Sequence, residues 1–334
     1  MLKIAIIGYG YWGPNLSRNF SSLETCSLTY VADFSQERLN LVKKLYPSVN
    51  TTTSPEVLFS SSEVDAIVIA TPVFTHFALA KKALQNGKHV LLEKPMTATV
   101  AEAEELINLA AQKGLTLMVD HTFLYTSAVH KMQELIDSKT LGAIKYFDST
   151  RINLGLFQQD VNVLWDLAPH DISILNFLVK EVPYSVNSTG VSHTRNGIEN
   201  IAYLTVNYQS DFIAHFNCSW TSPVKLRTML VGGDKKMLVY NDLEQTEKIK
   251  IYDTTYDYKS DEEMKRLMVD YRTGDIFIPK LAIKEALSGM VRDFADAIIH
   301  KKNPVSDAQS GLTVVRILEA SQKSIKNKGK EIIL

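Results

Sequence analysis

Two short stretches carry residues suited to proton chemistry on a small molecule. In the first, the apolar run 89–92 gives way to Glu93-Lys94-Pro95, which places a lysine at the carboxyl end of a predicted strand. Ligands of open parallel sheets bind at that edge. In the second, Trp165-Asp166-Leu167-Ala168-Pro169-His170-Asp171 sets Asp166 and His170 four residues apart. On a helix this spacing puts both side chains on one face, within reach of one substrate. Pro169 is compatible with that reading if it falls in the first helical turn, where proline is tolerated. The plainer alternatives are a solvated Lys94, and either a surface pair or a satisfied core histidine for Asp166 and His170. A metal site from Asp166, His170 and Asp171 is not expected: the adjacent His170 and Asp171 point in different directions on a helix, and no second nearby histidine completes a set.

A third stretch concerns a cofactor. Gly8-Tyr9-Gly10-Tyr11-Trp12-Gly13 follows the apolar run 4–7 at G-x-G-x-x-G spacing and precedes a helix-like segment, 14–20. Gly8 permits a tight turn, Gly10 a close approach of backbone to pyrophosphate, and Gly13 close packing of helix on sheet, while the helix N-terminus offers free N–H groups to phosphate. Asp33, twenty residues after Gly13 and at the end of the apolar run 28–32, can accept hydrogen bonds from a ribose. Its charge would repel a 2′-phosphate, so NAD is expected rather than NADP. Arg38, one turn on, is the residue that could reverse that preference.

The elements that must position these residues alternate through the first third of the chain. Strand-like segments at 3–7, 28–32, 66–70, 89–92 and 116–119 alternate with helix-like segments at 36–45, 75–85 and 99–112. Short apolar strands between helices predict a parallel sheet covered on both faces. Asn86-Gly87 and Lys113-Gly114 read as helix stops. After a helix at 127–138 the pattern becomes a run of about seven strands, with turn signals at Asn196-Gly197, Gln209-Ser210-Asp211 and Gly232-Gly233-Asp234. A helix at 167–179 interrupts them, and helices at 281–299 and 307–327 close the chain. The acidic run 261–263 reads as a solvated loop. The expected fold class is therefore α/β, a doubly wound Rossmann domain at 1–124, followed at 125–334 by an α+β domain with a large, mostly antiparallel open sheet.

Composition narrows the function. With 334 residues, two domains are the better expectation. A net charge of −1 without basic clusters argues against nucleic acid or membrane partners, and no stretch is apolar enough to span a bilayer. Cys26 and Cys218 are read as buried free thiols in a cytoplasmic protein.

Taken together, the glycine loop, Glu93-Lys94-Pro95 and Asp166-x-x-x-His170 resemble the Gfo/Idh/MocA oxidoreductases over essentially the whole chain. The resemblance implies that Lys94 and His170 are catalytic and that Asp166 assists. Where the family often has a glycine-rich run before the aspartate, this chain has Asn162-Val163-Leu164-Trp165. Finer features, among them 10–16, His121-Thr122-Phe123-Leu124-Tyr125 and Arg151-Ile152-Asn153, resemble the branch acting on nucleotide-activated sugars, such as UDP-N-acetylglucosamine 3-dehydrogenases. The implied cofactor set is Gly8, Gly10, Tyr11, Trp12, Gly13, Asp33, Arg38, Thr71, Pro72, His76, Glu93, Lys94 and His121, with His76 and His121 lining the nicotinamide pocket. Substrate would meet Lys94, Arg151, Asn153, Asp166 and His170.

Oxidation of a secondary alcohol needs a proton acceptor as well as a hydride acceptor. His170 is the expected base and Lys94 the group that stabilises the oxygen, although the two roles can be exchanged. The expected substrate is a UDP-N-acetylhexosamine oxidised at C3, with a pyridoxal-phosphate aminotransferase consuming the ketone. The alternatives are a free polyol or inositol, or a catalytically silent NAD sensor. Large side chains on both faces of the strand 212–221 (Phe212, Ala214 and Phe216 against Ile213, His215 and Trp220) predict a homodimer or homotetramer through the second domain, with 151–154 and 212–220 near the contact.

Overall fold

The computed structural model describes residues 1–155, 157–257 and 270–334; the acidic run 261–263 lies outside them. The chain forms two compact units, Met1–Thr126 with Lys284–Arg316, and Ser127–Ile283 with Ile317–Leu334. The return of Lys284–Arg316 to the first unit departs from a simple division at 124/125. Its cause is apolar packing. Leu287, Met290, Val291 and Phe294 of the helix Ala286–His300 join Ile4, Ile6, Leu16 and Phe20 in one core. The rings of Phe20 and Phe294 meet edge-on at 6.3 Å.

In the first unit, strands β1 (Leu2–Ile7), β2 (Cys26–Ala32), β3 (Asn50–Thr52), β4 (Ala66–Ile69), β5 (His89–Glu93) and β6 (Leu117–Asp120) form a parallel sheet of order β3-β2-β1-β4-β5-β6. Strand order reverses between β1 and β4, and ligands of such sheets bind beyond the strand ends at that point. The strands read as unbroken apolar runs because helices cover both faces; all four residues of β4 are buried. The helix Gln36–Leu45 begins where the Ser35 hydroxyl accepts the Arg38 N–H, and Val100–Lys113 begins likewise at Thr99. That second helix stops at Gly114, which has φ 64°.

The second unit contains β7 (Ile144–Leu154), β8 (Ser185–Val191), β9 (Ile201–Asn207), β10 (Ile213–Ser219), β11 (Thr221–Gly233), β12 (Met237–Asn241), β13 (Ile249–Asp257), β14 (Asp270–Phe277) and β15 (Ile332–Ile333). Their order is β14-β13-β12-β11-β7-β10-β9-β8-β15, antiparallel except for the parallel pair β7–β10. Two of these strands, β14 and β15, lie beyond the expected seven. The helix Val163–Leu178 packs on β7, β9 and β10, over a face carrying Leu204, Val206, Ala214 and Phe216.

The opposite face leaves Tyr203 46% and Ile213 47% exposed, and stacks Tyr203 on His215. Trp220 does not join that face. It is 1% exposed, because β10 ends at Ser219 and the chain turns there into β11. Phe212 is also buried. Both cysteines are free and buried. Among the described residues, no helix is long and apolar enough to cross a membrane.

Candidate active site

The glycine loop leaves β1 as its spacing demands. Gly8 has φ 98°, and a Cβ there would sit 2.4 Å from the Ala70 carbonyl oxygen. A Cβ on Gly13 would sit 2.4 Å from the Gly8 carbonyl oxygen, so the helix Gly13–Ser21 starts hard against the turn. Gly10 differs from both. The nearest atom to a Cβ there is Arg38 Nη1, 3.9 Å away, so its surroundings are open for a ligand. Tyr11 is exposed, and its ring meets that of Trp12 edge-on.

Asp33 holds this loop in place. Its Oδ2 accepts the Tyr9 N–H at 2.7 Å and its Oδ1 the Ser35 N–H at 2.8 Å, while Arg38 Nη1 lies 3.4 Å from Oδ2. A carboxylate has about four lone-pair sites, so capacity remains for a ribose hydroxyl. An open glycine, a helix N-terminus and an anchored aspartate fit a dinucleotide.

His76 plays a different part from the one expected. It is 1% exposed, and its Nδ1 and Nε2 lie 3.0 Å from the Pro95 oxygen and 2.8 Å from the Thr71 oxygen. Its ring therefore ties the Thr71-Pro72 loop to Glu93-Lys94-Pro95 instead of lining a pocket. Burial lowers its pKa. Thr71 is further fixed by a 2.6 Å hydroxyl contact with Thr75.

Lys94 follows β5 directly, is half-buried, and is joined to Pro95 by a cis peptide. Glu93 is buried, and its Oε2 accepts the Lys94 N–H at 2.9 Å. Burial and then the charge of Asp120 raise the Glu93 pKa well above the usual carboxylate range. Burial also pushes Asp120 up to about 6. His121 is 1% exposed, and burial followed by the Lys94 charge lowers it to about 3. It is a neutral buried ring, unsuited to act as a base.

In the second unit, Asn162 caps the helix Val163–Leu178 by accepting the Leu164 and Trp165 N–H groups at 3.1 and 3.2 Å. Its amide donates to Glu199 and Gln322. This cap occupies the place of the glycine-rich run. Asp166 then falls in the first turn, where the helix dipole favours a carboxylate, and His170 follows on the same face. Because the helix starts at Val163, Pro169 lies in its interior, not in its first turn.

The Trp220 indole N–H donates to Asp166 Oδ2 at 2.9 Å, a partner that sequence spacing did not indicate. Arg151 is not available to substrate. It is 4% exposed; its Nε donates to both oxygens of Asp171 at 3.0 Å and its Nη2 to Oδ1 at 2.5 Å, with Ser149 Oγ adding a third donor at 2.7 Å. A buried guanidinium requires such a partner. Asn153, on the same strand, is only partly buried. Among the described residues, no group of His, Cys, Asp and Glu could hold a metal.

Comparison with known proteins agrees with this geometry. Residues 2–121 match the model of an oxidoreductase family with an NAD-binding Rossmann fold, and residues 129–239 match the GFO/IDH/MocA C-terminal domain. The chain is 34% identical over 181 residues to the oxidoreductase YdgJ of Escherichia coli, covering 51% of each protein. It is 29% identical over 210 residues to the UDP-N-acetylglucosamine 3-dehydrogenase of Acidithiobacillus ferrooxidans, covering 62% of this chain and 64% of that protein. These matches thus span about half to two thirds of the relatives' length. The solved structure of that dehydrogenase, GnnA, superposes with a TM-score of 0.80 at 24% identity over 97% of both chains, which establishes the shared fold. A scyllo-inositol 2-dehydrogenase (NADP(+)) of Bacillus subtilis matches over 98% of this chain and 94% of its own at 23% identity.

Proposed function

Because the chain belongs to the Gfo/Idh/MocA oxidoreductase family, we propose that it oxidises a secondary hydroxyl of a sugar with NAD, at C3 of a UDP-N-acetylhexosamine. The observation that carries this reading is Asp166 and His170 on one face of a capped helix, with Asp166 fixed by Trp220. The bound nicotinamide would accept the hydride. His170 takes the hydroxyl proton, as suits a side chain whose ordinary pKa lies near neutrality. Asp166 orients His170, and Lys94 stabilises the oxygen as its negative charge develops. Exchange of the roles of His170 and Lys94 is chemically equivalent for the overall reaction.

NAD is favoured over NADP by Asp33, whose carboxylate would meet the 2′-phosphate of the latter. The similarity to UDP-N-acetylglucosamine 3-dehydrogenase supports a nucleotide-sugar substrate. A 3-keto product suits consumption by a pyridoxal-phosphate aminotransferase in cell-surface polysaccharide or lipid A synthesis. A polyol is the second reading, supported by the near full-length similarity to an inositol dehydrogenase.

Purified protein incubated with UDP-sugars or polyols, with NADH absorbance as the signal, tests both. Turnover of UDP-N-acetylhexosamines alone supports the first reading, and a polyol-only response replaces it with the second. Silence with every substrate despite tight NAD binding indicates a sensor. Tighter binding of NADPH than of NADH would show that Arg38 overrides Asp33.

A further inference from the structure

Glu93 and Asp120 are register partners at the carboxyl ends of the neighbouring parallel strands β5 and β6. Both are buried, at 8% and 4% exposure. Each has one oxygen committed to backbone: Glu93 Oε2 accepts the Lys94 N–H, and Asp120 Oδ1 accepts the Thr122 N–H at 3.0 Å and the Thr122 hydroxyl. Asp120 Oδ2 is different. It is buried and receives no N–H or hydroxyl from the described residues, yet the two carboxyl groups lie within hydrogen-bonding reach of each other. Two carboxylates in that position cannot bond unless one carries a proton, and like charges sharing a dry site force a proton to stay.

The charged and titratable groups around the pair are few. Lys94 acts on both carboxyls. His121 is neutral, and Tyr125, which Asp120 also influences, donates its hydroxyl to Asp293 at 2.8 Å. Lys94 is therefore the cation nearest the pair among these groups.

We propose that Glu93 and Asp120 share one proton, and that their single remaining negative charge is the counter-charge that positions the Lys94 ammonium at the sheet edge. The proposal rests on the reading of Lys94 as a group acting on the substrate oxygen. A doubly ionised pair would draw the ammonium down into an ion pair and away from substrate. A neutral pair would leave it without a counter-charge. Glu93 and Asp120 are thus positioning residues that act through Lys94, and they titrate as a unit. Turnover should decline as rising pH removes the shared proton.

The proton can be seen directly. The infrared difference spectrum of wild type minus Asp120→Asn, both without cofactor at pH 7, should contain the C=O band of a protonated carboxyl group. Its absence overturns the shared proton. In kinetics, Asp120→Ala should lower kcat about tenfold, the equivalent of one pK unit of electrostatic interaction, with KM little changed. Asp120→Asn donates permanently to Glu93 and keeps one negative charge, so it should recover most of that loss and flatten the decline at higher pH. Equal kcat and equal pH profiles for the Ala and Asn variants would reduce Asp120 to a structural role. An infrared band without turnover of any sugar or polyol refutes the functional reading and the role of counter-charge with it. Turnover without the band refutes the shared proton alone.

Discussion

Lys94 and His170 can be separated experimentally from the residues that hold them. Replacing either by alanine should lower kcat by roughly 10²–10⁴, the usual contribution of a positioned acid–base group. The dissociation constant of NADH should stay near its wild-type value, because the cofactor loop is anchored through Asp33 and the glycines. Stopped-assay kinetics with a fluorescence titration checks both numbers, and full activity in the two variants would sink the assignment. These side chains were legible in sequence because their signals are local: a lysine directly after an apolar strand, and a four-residue spacing on a helix. Their supports were not. Trp220 reaches Asp166 from 54 residues away, and Arg151 finds Asp171 across 20. Neither pairing leaves a periodicity to read. Arg151 therefore looked like a substrate ligand when it is a buried brace.

Most elements followed from pattern, and the exceptions have physical causes. The helix Gln36–Leu45 starts and stops where its spacing predicts, and the structure shows Ser35 capping it. The helix Val163–Leu178 starts four residues before the apolar periodicity suggested, because Asn162 caps it by a local side-chain bond. Asn162→Ala should cost about 1 kcal/mol, as loss of such a cap usually does, read as a shifted urea midpoint with unchanged slope. Asn162 also donates to Glu199 and Gln322, so a loss of that size or larger is expected and a neutral effect would deny the cap any role. β3 and β15 escaped notice because three and two residues cannot display a period. The sheet in the second unit was readable as antiparallel, yet the insertion of β7 between β10 and β11 was not, since strand order is a tertiary choice.

For the molecule entire, the unpartnered sheet face predicts self-association. Tyr203, Ile213 and Leu230 are 46%, 47% and 38% exposed on neighbouring parts of one sheet, and a face rich in such side chains is rarely left in water. Light scattering at micromolar concentration should give a dimer or tetramer mass. A monomer would leave this face without a covering. Phe212, Trp220 and Arg151 point inward, so they do not belong to the expected contact as first drawn. Stability should also depend on pH in an unusual direction. Glu93 is raised well above, and Asp120 to about 6 from, the carboxylate values of an unfolded chain. The unfolded state therefore loses these protons first, and the stabilisation present at acid pH declines as pH rises from about 4 through 6 and beyond. Asp120→Asn should flatten that decline in urea melts across this range. An unaltered pH slope would mean that Asp120 does not retain a proton in the native state.

The return of Lys284–Arg316 to the first unit bears on how the chain is made. Domains usually complete themselves from the N-terminus as they leave the ribosome. Here the glycine loop, β5 and β6 can all emerge, yet the core around Phe20 still lacks Met290, Val291 and Phe294 until the helix Ala286–His300 has followed the second unit's strands β7 to β14. The nascent nucleotide-binding half must wait with that apolar surface uncovered while the strands β7 to β14 are translated. A fragment spanning Met1–Thr126 should accordingly bind a hydrophobic dye and acquire its full helical signal only when a peptide of residues 284–316 is added. Dye binding would then fall with the stoichiometry of the peptide.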